Sequence, residues 1–446
     1  MLTCVKPSLA SGTLLTEPMS NRLADLRERF YAWRQRRPVK RFCAASLFLA
    51  VLPFRVGILA LLNIFQRGQQ PKRIVVVQFA GLGDMLMLTP ALAALQDHYP
   101  DAEIDLITLH GYVRDAFQHH PRLNNVSALP VYPGHWIMSK FVESSGPKLI
   151  LAVISFYADV LLKHSFSRYD LGVNFGLSDF DRNLGNTLLY CLSISKRVGS
   201  FGLNDKMLTD RIAVDYARRH RAIAYLSFLS PLGISSTNHC YEFPISGTDL
   251  QTVKLALRRE KVDTTKPLAV IHPGGKVLVN SRRWPADYYA RVCDFLSNSE
   301  GFEVVLTGDR DDLAVCNLIE RRLGAQVKVL AGQLTFSETA ALLSSCQLCI
   351  TNDTSTMHVA EAMEVPRVIS IFGPTDPDLL APQNERHVVL RSDLPCAPCM
   401  GGVIDGKTER CWRDIKEECL WRITPEQVIG VLKQSHRKPE LRVARA

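Results

Sequence analysis

The chain has 446 residues, of which 47% are hydrophobic and 22% charged, with a formal net charge of +9. This composition excludes an intrinsically disordered body, and the length predicts two large domains with additional segments. Residues 21–41 hold eight Lys/Arg and two acidic side chains, a net charge of +6. The remainder is only mildly basic, which argues against a general nucleic-acid surface and favours an anionic membrane or acidic glycolipid as the partner of this basic arm.

An apolar stretch, Phe42–Phe65, follows the basic arm. It is long enough to span a bilayer, but Pro53 and Arg55 lie near its centre, where an arginine costs roughly 2.5–3.5 kcal/mol. No small-residue cleavage site of a signal peptide follows it. We therefore predict two short apolar helices, hinged at Pro53, that lie in the membrane interface. A single span and a soluble amphipathic extension are the alternatives.

Strands alternate with helices in the first half of the globular body. Ile74–Phe79 is a β-branched run typical of a buried parallel strand, and Met85–Gln96 follows at helical spacing. Further strands are predicted at Ala102–Leu109, Tyr169–Phe175 and Lys196–Gly199. Leu149–Leu162 is predicted to be a buried helix, with a second membrane-dipping patch as the alternative.

The second half repeats this alternation after turn signals in residues 236–250. Strands are predicted at Leu268–Ile271, Glu303–Thr307, Val327–Leu330, Leu348–Ile350 and Val365–Phe372. The pattern predicts an α/β fold with two Rossmann-like parallel-sheet domains that face each other across a cleft. The predicted segments are the arm and membrane-associating stretch (1–70), the first domain (71–245), the second domain (246–424), and a C-terminal helix with a basic tail (425–446).

A glycine turn, Gly81-Leu82-Gly83, follows the first predicted strand and leads directly into Asp84. The turn is a weak dinucleotide fingerprint, because Leu86 occupies the third glycine position. A carboxylate in the first turn of the next helix lies in the crevice where open α/β sheets bind ligands. Asp84 is therefore a candidate catalytic residue, or an acid that stabilises the helix dipole.

The first strand of the second domain ends in His272-Pro273-Gly274-Gly275, and Arg282 and Arg283 precede a helix that begins near Pro285. Paired arginines at a helix start can hold a diphosphate through bidentate hydrogen bonds. The alternative is a solvated basic loop. We include Gly274, Gly275 and both arginines among the candidate residues for binding a ligand that carries a diphosphate.

The stretch from Gln347 to Thr375 reads as strand, polar turn, helix, strand and second polar turn. Free backbone N–H groups at a helix start favour phosphate, and the hydroxyls of Thr354 and Ser355 lie in this turn. Asp353 would repel phosphate but would accept hydrogen bonds from sugar hydroxyls. Phosphate and sugar together indicate a nucleotide sugar. His358 is a further candidate ligand contact, or a structural histidine.

Four motifs in this order, GDMLMLTPALAAL, HPGG with RRWP, NDTSTMHVAEA and FGPT, resemble glycosyltransferase family 9, the ADP-heptose:lipopolysaccharide heptosyltransferases. The resemblance covers roughly residues 72–434. It implies a GT-B fold, an inverting and metal-independent sugar transfer, and an acceptor in the lipopolysaccharide core. It also implies that Asp84 is the base, that Arg282 holds the diphosphate, and that Asp353 binds the sugar beside Thr354, Ser355 and His358.

Two departures from the family pattern bear on the identity of the sugar donor. The family usually has lysine where Arg282 stands and glycine where Ser355 stands. Arginine keeps the charge, whereas Ser355 adds a side chain where backbone approaches phosphate. Two other functions are kept as alternatives: a nucleotide-sugar-modifying enzyme of GT-B-like fold, such as an epimerase, and a non-catalytic nucleotide-sugar-binding paralogue.

The predicted partners are a nucleotide-sugar donor, a lipopolysaccharide-core or other glycolipid acceptor, and an anionic membrane surface, without nucleic acid. No cofactor is predicted, since the nucleotide sugar is a substrate. A single span at Phe42–Phe65 would export the domains away from a cytosolic nucleotide. We therefore predict a peripheral or monotopic enzyme at the cytoplasmic face of the inner membrane.

Four of the twelve cysteines, Cys396, Cys399, Cys411 and Cys419, lie close together in the sequence. Their spacing is similar to that of a zinc ribbon, but the second pair is too far apart. We weigh a structural zinc or redox role against packed thiols, and predict no catalytic metal. The other eight cysteines are scattered, as in a protein of a reducing cytoplasm.

Overall fold

A computed structural model of the protein describes residues 70–128, 164, 168–275, 282–399, 411, 415–434 and 443–445. The basic arm, the apolar stretch Phe42–Phe65 and the predicted helix Leu149–Leu162 lie outside the described residues. Within the described ranges, no helix combines the length and the apolar character that crossing a membrane requires.

The first domain is built on a parallel sheet of six strands in the order β3-β2-β1-β4-β5-β6. The strands are β1 (Arg73–Val77), β2 (Glu103–Thr108), β3 (Asn125–Ala128), β4 (Leu171–Asn174), β5 (Lys196–Ser200) and β6 (Asp210–Ile212). The helices are α1 (Leu82–His98), α2 (Gly111–Phe117), α3 (Asp179–Cys191) and α4 (Arg221–Ser227). The strand order reverses direction between β1 and β4, so a ligand crevice is expected at the carboxyl ends of these two strands.

The second domain contains seven parallel strands in the order β13-β12-β11-β10-β7-β8-β9. The strands are β7 (Leu268–His272), β8 (Glu303–Leu306), β9 (Val327–Val329), β10 (Leu348–Asn352), β11 (Arg367–Phe372), β12 (His387–Arg391) and β13 (Val443–Arg445). The helices are α5 (Gly247–Arg259), α6 (Ala286–Asn298), α7 (Leu313–Leu323), α8 (Phe336–Leu343), α9 (Ser355–Ala362), α10 (Pro377–Leu380), α11 (Glu418–Trp421) and α12 (Pro425–Lys433). The predicted α/β class with two Rossmann-like sheets is confirmed.

Helix α1 is the central element between the two domains. Every residue from Met85 to Leu95 is buried, so the helix has no solvated face over this length. It packs against α4 of its own domain on one side and against α9 of the second domain on another. A helix that is apolar all round is expected where it is enclosed by other elements. The start of α1 is therefore held directly against the second domain.

The linker between the domains is fixed by aromatic side chains. The ring of Phe243 makes edge contacts at centroid distances of 5.4 Å with both Phe117 of the first domain and Phe336 of the second. The neighbouring Glu242 accepts two hydrogen bonds from Arg122, at 2.6 and 2.8 Å. An edge-to-face pair of aromatic rings stabilises a structure through its preferred geometry as well as through the area that it buries. The linker thus acts as a packed joint between the two sheets.

Candidate active site

Asp84 lies in the first turn of α1, immediately after β1, and therefore in the crevice at the switch point of the first sheet. The hydroxyl of Tyr225 in α4 donates a hydrogen bond to its Oδ1 atom at 3.1 Å. Asp181, in the first turn of α3, approaches the same crevice from the end of β4. Burial raises the pKa of Asp181 to about 6, and the nearby charge of Asp84 acts in the same direction. The crevice thus brings together two carboxyl groups.

The second domain reaches this crevice through His358 of α9. A side-chain carbon at Gly83 would lie 3.1 Å from His358 Cδ2, so the glycine permits the close approach of the two helices. His358 is buried, and its Nδ1 atom has no hydrogen-bond partner within the described part of the chain. Burial lowers the pKa of His358 to about 4, against the opposing influence of Asp353 and Asp84. The histidine therefore lies between the predicted base and the predicted sugar-binding carboxylate.

The buried amide of Asn352, at the end of β10, connects two other turns of the second domain. Its Nδ2 atom donates to the carbonyl oxygens of Pro273 at 3.0 Å and Gly274 at 2.8 Å. Its Oδ1 atom accepts hydrogen bonds from the backbone N–H of Trp284 at 3.1 Å and from the hydroxyl of Tyr289 at 2.9 Å. One side chain thus joins the HPGG turn, the RRWP segment and the NDTS turn. Sequence reasoning assigned no role to Asn352.

The carboxylate of Asp312 fixes the glycine turn and Arg283. It accepts hydrogen bonds from the backbone N–H of Gly275 at 3.1 Å and from Arg283 Nη2 at 2.9 Å. A side-chain carbon at Gly274 would lie 2.1 Å from Asp312 Cγ, so only glycine fits there. Arg283 also donates to the carbonyl oxygen of Gly275. These contacts give Arg283 a direct role in shaping the turn, and its predicted role in binding the sugar donor stays a prediction.

Arg282 and Asp353 form an ion pair with each other, with Nη1 and Oδ2 3.1 Å apart. The same oxygen of Asp353 accepts a hydrogen bond from the hydroxyl of Thr375 at 2.7 Å. The Nε atom of Arg282 is buried and has no partner among the described residues. The sequence predicted that Arg282 binds the diphosphate and that Asp353 binds the sugar. In the structure the two side chains contact each other directly.

The first turn of α9 presents the predicted phosphate-binding backbone. Thr354 occupies the N-cap position but its side chain does not cap the helix, and its hydroxyl instead contacts that of Thr351 at 3.1 Å. Ser355 is the first residue of the helix. The N–H groups at such a helix start lack intrahelical partners and favour an anion. This helix start, close to Gly83, and Arg282, paired with Asp353, are thus the candidate anion-binding groups of the second domain.

The four clustered cysteines lie near one another in the second domain. Cys399 is attached to the FGPT turn, since its backbone N–H donates to the carbonyl oxygen of Pro374 at 2.9 Å. Burial, followed by the proximity of Cys399, Cys411 and Cys396, raises the pKa of Cys419 to about 12. Over the described ranges, no group of three or more His, Cys, Asp or Glu side chains is arranged to hold a metal ion. The two alternatives for these cysteines, a structural zinc or redox role and packed thiols, both stay predictions.

Comparison with known proteins gives a consistent family assignment. The model of glycosyltransferase family 9 (heptosyltransferase) matches residues 187–405, which include the second-domain motifs but not Asp84. Lipooligosaccharide heptosyltransferase 2 of Campylobacter jejuni is 27% identical over 362 residues, which is 80% of this chain and 97% of that protein. Lipopolysaccharide heptosyltransferase 2 of Escherichia coli K12 is 26% identical over 72% of this chain and 88% of its own length.

Solved structures share the fold. The glycosyl transferase family 9 protein of Veillonella parvula superposes with a TM-score of 0.67 at 21% identity, covering 81% of this chain and 96% of that chain. The E. coli ADP-heptose lps heptosyltransferase II superposes with a TM-score of 0.60 at 21% identity, covering 82% of this chain and all of that one. At this level of identity, the superpositions establish the two-domain fold and leave the roles of individual residues to the geometry.

Proposed function

Because this chain belongs to glycosyltransferase family 9, we propose that it transfers heptose from ADP-heptose to an acceptor in the lipopolysaccharide core. The observation that carries the proposal is the convergence of Asp84, from the first domain, with His358 and Asp353, from the second, at one crevice. A transferase needs a base on the acceptor side and a cation with an anion-binding helix start on the sugar-donor side. The two domains supply these groups separately.

The proposed reaction is a single displacement. The oxygen of an acceptor hydroxyl attacks the anomeric carbon of the heptose, while the bond from that carbon to the β-phosphate oxygen breaks. Asp84 takes the proton of the hydroxyl, and the nucleoside diphosphate leaves with the electron pair of the broken bond. Attack from the face opposite the leaving group inverts the anomeric configuration.

The leaving group is proposed to be stabilised by Arg282 and the N–H groups at the start of α9. Preorganised donors directed at developing negative charge supply a large part of the rate enhancement of many enzymes. When the diphosphate contacts Arg282, Asp353 is released from the ion pair and can accept hydrogen bonds from sugar hydroxyls. In this proposal no metal ion takes part in the transfer, and activity is expected to persist in excess chelator.

The proposal is tested with Asp84→Asn in single-turnover transfer to a lipopolysaccharide-core acceptor. The amide keeps the size of the side chain but cannot accept the proton, so turnover should fall by about 10²–10⁴-fold. Binding of the sugar donor should hardly change, because Asp84 lies in the other domain. Turnover close to wild type would contradict the base assignment, and retention of configuration, read by NMR, would contradict single displacement.

A control reaction without acceptor separates this proposal from the alternative functions. A transferase consumes the nucleotide sugar only slowly in the absence of acceptor, whereas an epimerase converts it to an isomer. A non-catalytic paralogue would bind the nucleotide sugar and leave it unchanged in both reactions. Isomer formed without acceptor would therefore overturn the proposed activity.

A further inference from the structure

A chain of hydrogen bonds runs from the end of β1 to Asp84. The backbone N–H of Ala80 donates to Gln78 Oε1 at 3.1 Å, and Gln78 Nε2 donates to the hydroxyl oxygen of Tyr225 at 3.0 Å. The Tyr225 hydroxyl lies 3.1 Å from Asp84 Oδ1. The chain connects three elements that are far apart in the sequence, namely the β1 terminus, α4 and the first turn of α1.

The direction of every hydrogen bond in this chain is determined by its first member. A backbone N–H can only donate, so the Gln78 amide must present its oxygen to Ala80 and its NH₂ group to Tyr225. The hydroxyl oxygen of Tyr225 then accepts from Gln78, and its single proton is directed at Asp84. Asp84 Oδ1 is therefore the acceptor of the hydrogen bond that ends the chain.

Burial makes this arrangement rigid. Gln78 is 1% exposed and Tyr225 is fully buried, so neither side chain can exchange its partner for bulk water. Tyr225 is also enclosed by the rings of Phe175 and neighbouring apolar side chains. Asp84 is only partly buried, and over the described ranges its Oδ2 atom receives no hydrogen bond from the protein. One oxygen of the carboxylate is held, and the other faces the crevice.

We propose that Tyr225, oriented by Gln78, is the positioning residue of the general base: its hydroxyl holds Asp84 Oδ1 so that Oδ2 takes the proton of the acceptor hydroxyl. This inference rests on the proposed role of Asp84. It assigns to the first domain a hydrogen-bonded network that fixes the orientation of the base before the acceptor binds. Pre-organisation of this kind lowers the cost of reaching a reactive geometry.

Other ionisable groups face Asp84 from each packed element. Tyr112 of α2 and Asp181 of α3 are both affected by its charge: burial and then Asp84 raise the pKa of Tyr112 to about 12. His358 approaches Asp84 from α9, and Arg221 of α4 lies close to Tyr225. Each of these groups is unchanged when only the Tyr225 hydroxyl is removed. A change in pH dependence can then be attributed to that hydroxyl.

The test is the pH–rate profile of kcat for Tyr225→Phe in the full-length protein. A carboxylate that loses a donated hydrogen bond retains its proton to higher pH, so the acid limb of the profile should move up by about one pH unit. The loss of orientation should lower kcat at its pH optimum by about tenfold. KM for the sugar donor should stay within about twofold, because that substrate binds to the second domain.

Tyr169→Phe is the matched control. The hydroxyl of Tyr169 is also buried and donates to a carboxylate, Asp105 Oδ2, at 2.7 Å. Tyr169 precedes β4, however, and so lies at the amino ends of the strands, whereas the crevice is at their carboxyl ends. A merely structural effect of removing a buried hydroxyl should appear in both variants, whereas the pH shift should appear only in Tyr225→Phe. Gln78→Leu keeps Tyr225 but removes the amide that orients it, so a shift in the same direction is expected.

The outcomes separate the inference from the proposed function. An inactive Asp84→Asn with an unshifted profile in Tyr225→Phe would overturn the positioning role and leave the base assignment intact. Near-wild-type turnover in Asp84→Asn would overturn the base assignment and this inference with it, whereas isomer formed without acceptor, or no transfer by the wild-type protein, would overturn the proposed function itself. If Tyr225→Phe does not fold, Gln78→Leu decides, and a profile identical to wild type in that variant would overturn the inference.

Discussion

The Asn352 amide should be essential to the assembly of the sugar-donor site, and Asn352→Leu removes it while keeping the number and branching of the side-chain heavy atoms. The wild-type side chain makes four hydrogen bonds, to Pro273, Gly274, Trp284 and Tyr289, and is fully buried. Leucine leaves two carbonyl oxygens, one N–H and one hydroxyl facing an apolar group. Each of these polar groups lies where water has little access.

The magnitude of the effect follows from this count. A typical intramolecular hydrogen bond contributes about 1 kcal/mol net, and an unsatisfied buried group costs about 1–3 kcal/mol. Some of the four groups will find other partners as the turns relax, so we expect a loss of about 3–5 kcal/mol in the free energy of unfolding. Relaxation should also displace the HPGG turn, and weaken nucleotide diphosphate binding by about tenfold or more.

Urea denaturation followed by tryptophan fluorescence measures the loss directly, since Trp284 is buried and bonded to Asn352. Asn298→Leu is the control, because Asn298 is exposed and bonds only other exposed side chains, and its change should stay within about 0.5 kcal/mol. A loss below about 1 kcal/mol for Asn352→Leu, or unchanged nucleotide binding, would refute the conclusion that this amide joins the three turns.

Three further predictions concern the sugar-donor site, the carboxyl pair and the membrane arm. Arg282→Ala should weaken binding of the free nucleoside diphosphate, whereas Asp353→Ala should weaken binding of the nucleotide sugar and leave binding of the free nucleotide unchanged. Equilibrium titration of both ligands measures these affinities, and equal losses of affinity in both variants would contradict the assigned roles. The raised pKa of Asp181, about 6, means that the folded state loses stability as pH rises from about 4 to about 6, so Asp181→Asn should stabilise the protein above pH 6 and not below pH 4. Thermal unfolding across this range measures the difference, and the exposed Asp179→Asn should show none of it. Deleting residues 1–68 should move the enzyme from the membrane fraction to the soluble fraction, and deletion that leaves it membrane-bound would contradict the anchoring role of the arm.

The sequence predicted all the central strands of both sheets, together with β5 and the edge strand β9. The predicted runs at Ile74–Phe79 and Leu268–Ile271 match β1 and β7 within two residues, because a central parallel strand must be apolar throughout. The missed strands, β3, β6, β12 and β13, lie at or beside the edges of the two sheets. There, short segments such as Asp210–Ile212 carry charged residues and show no strand pattern.

The candidate site shows the same division between local and long-range information. Asp84, Arg282 and Asp353 could be selected from the sequence because each lies in a strand-to-helix connection or in the first turn of the helix that follows it. Tyr225 could not, since it contacts Asp84 across 141 residues and its position in α4 reads as an ordinary core residue. The ion pair between Arg282 and Asp353 was missed for the same reason: motif reading gives the type of a side chain and its turn, but not its partner.

The packing of Phe243 against both domains has a consequence for the construction of hybrid enzymes from two relatives. Phe243 contacts Phe117 and Phe336 on opposite sides, so it belongs to the packing of both domains at once. A fusion point at residue 245 would take Phe117 and Phe243 from one parent and Phe336 from the other. Hybrids that exchange the first domain should therefore be made with parents that agree at position 336, or with that one position transferred along with the first domain.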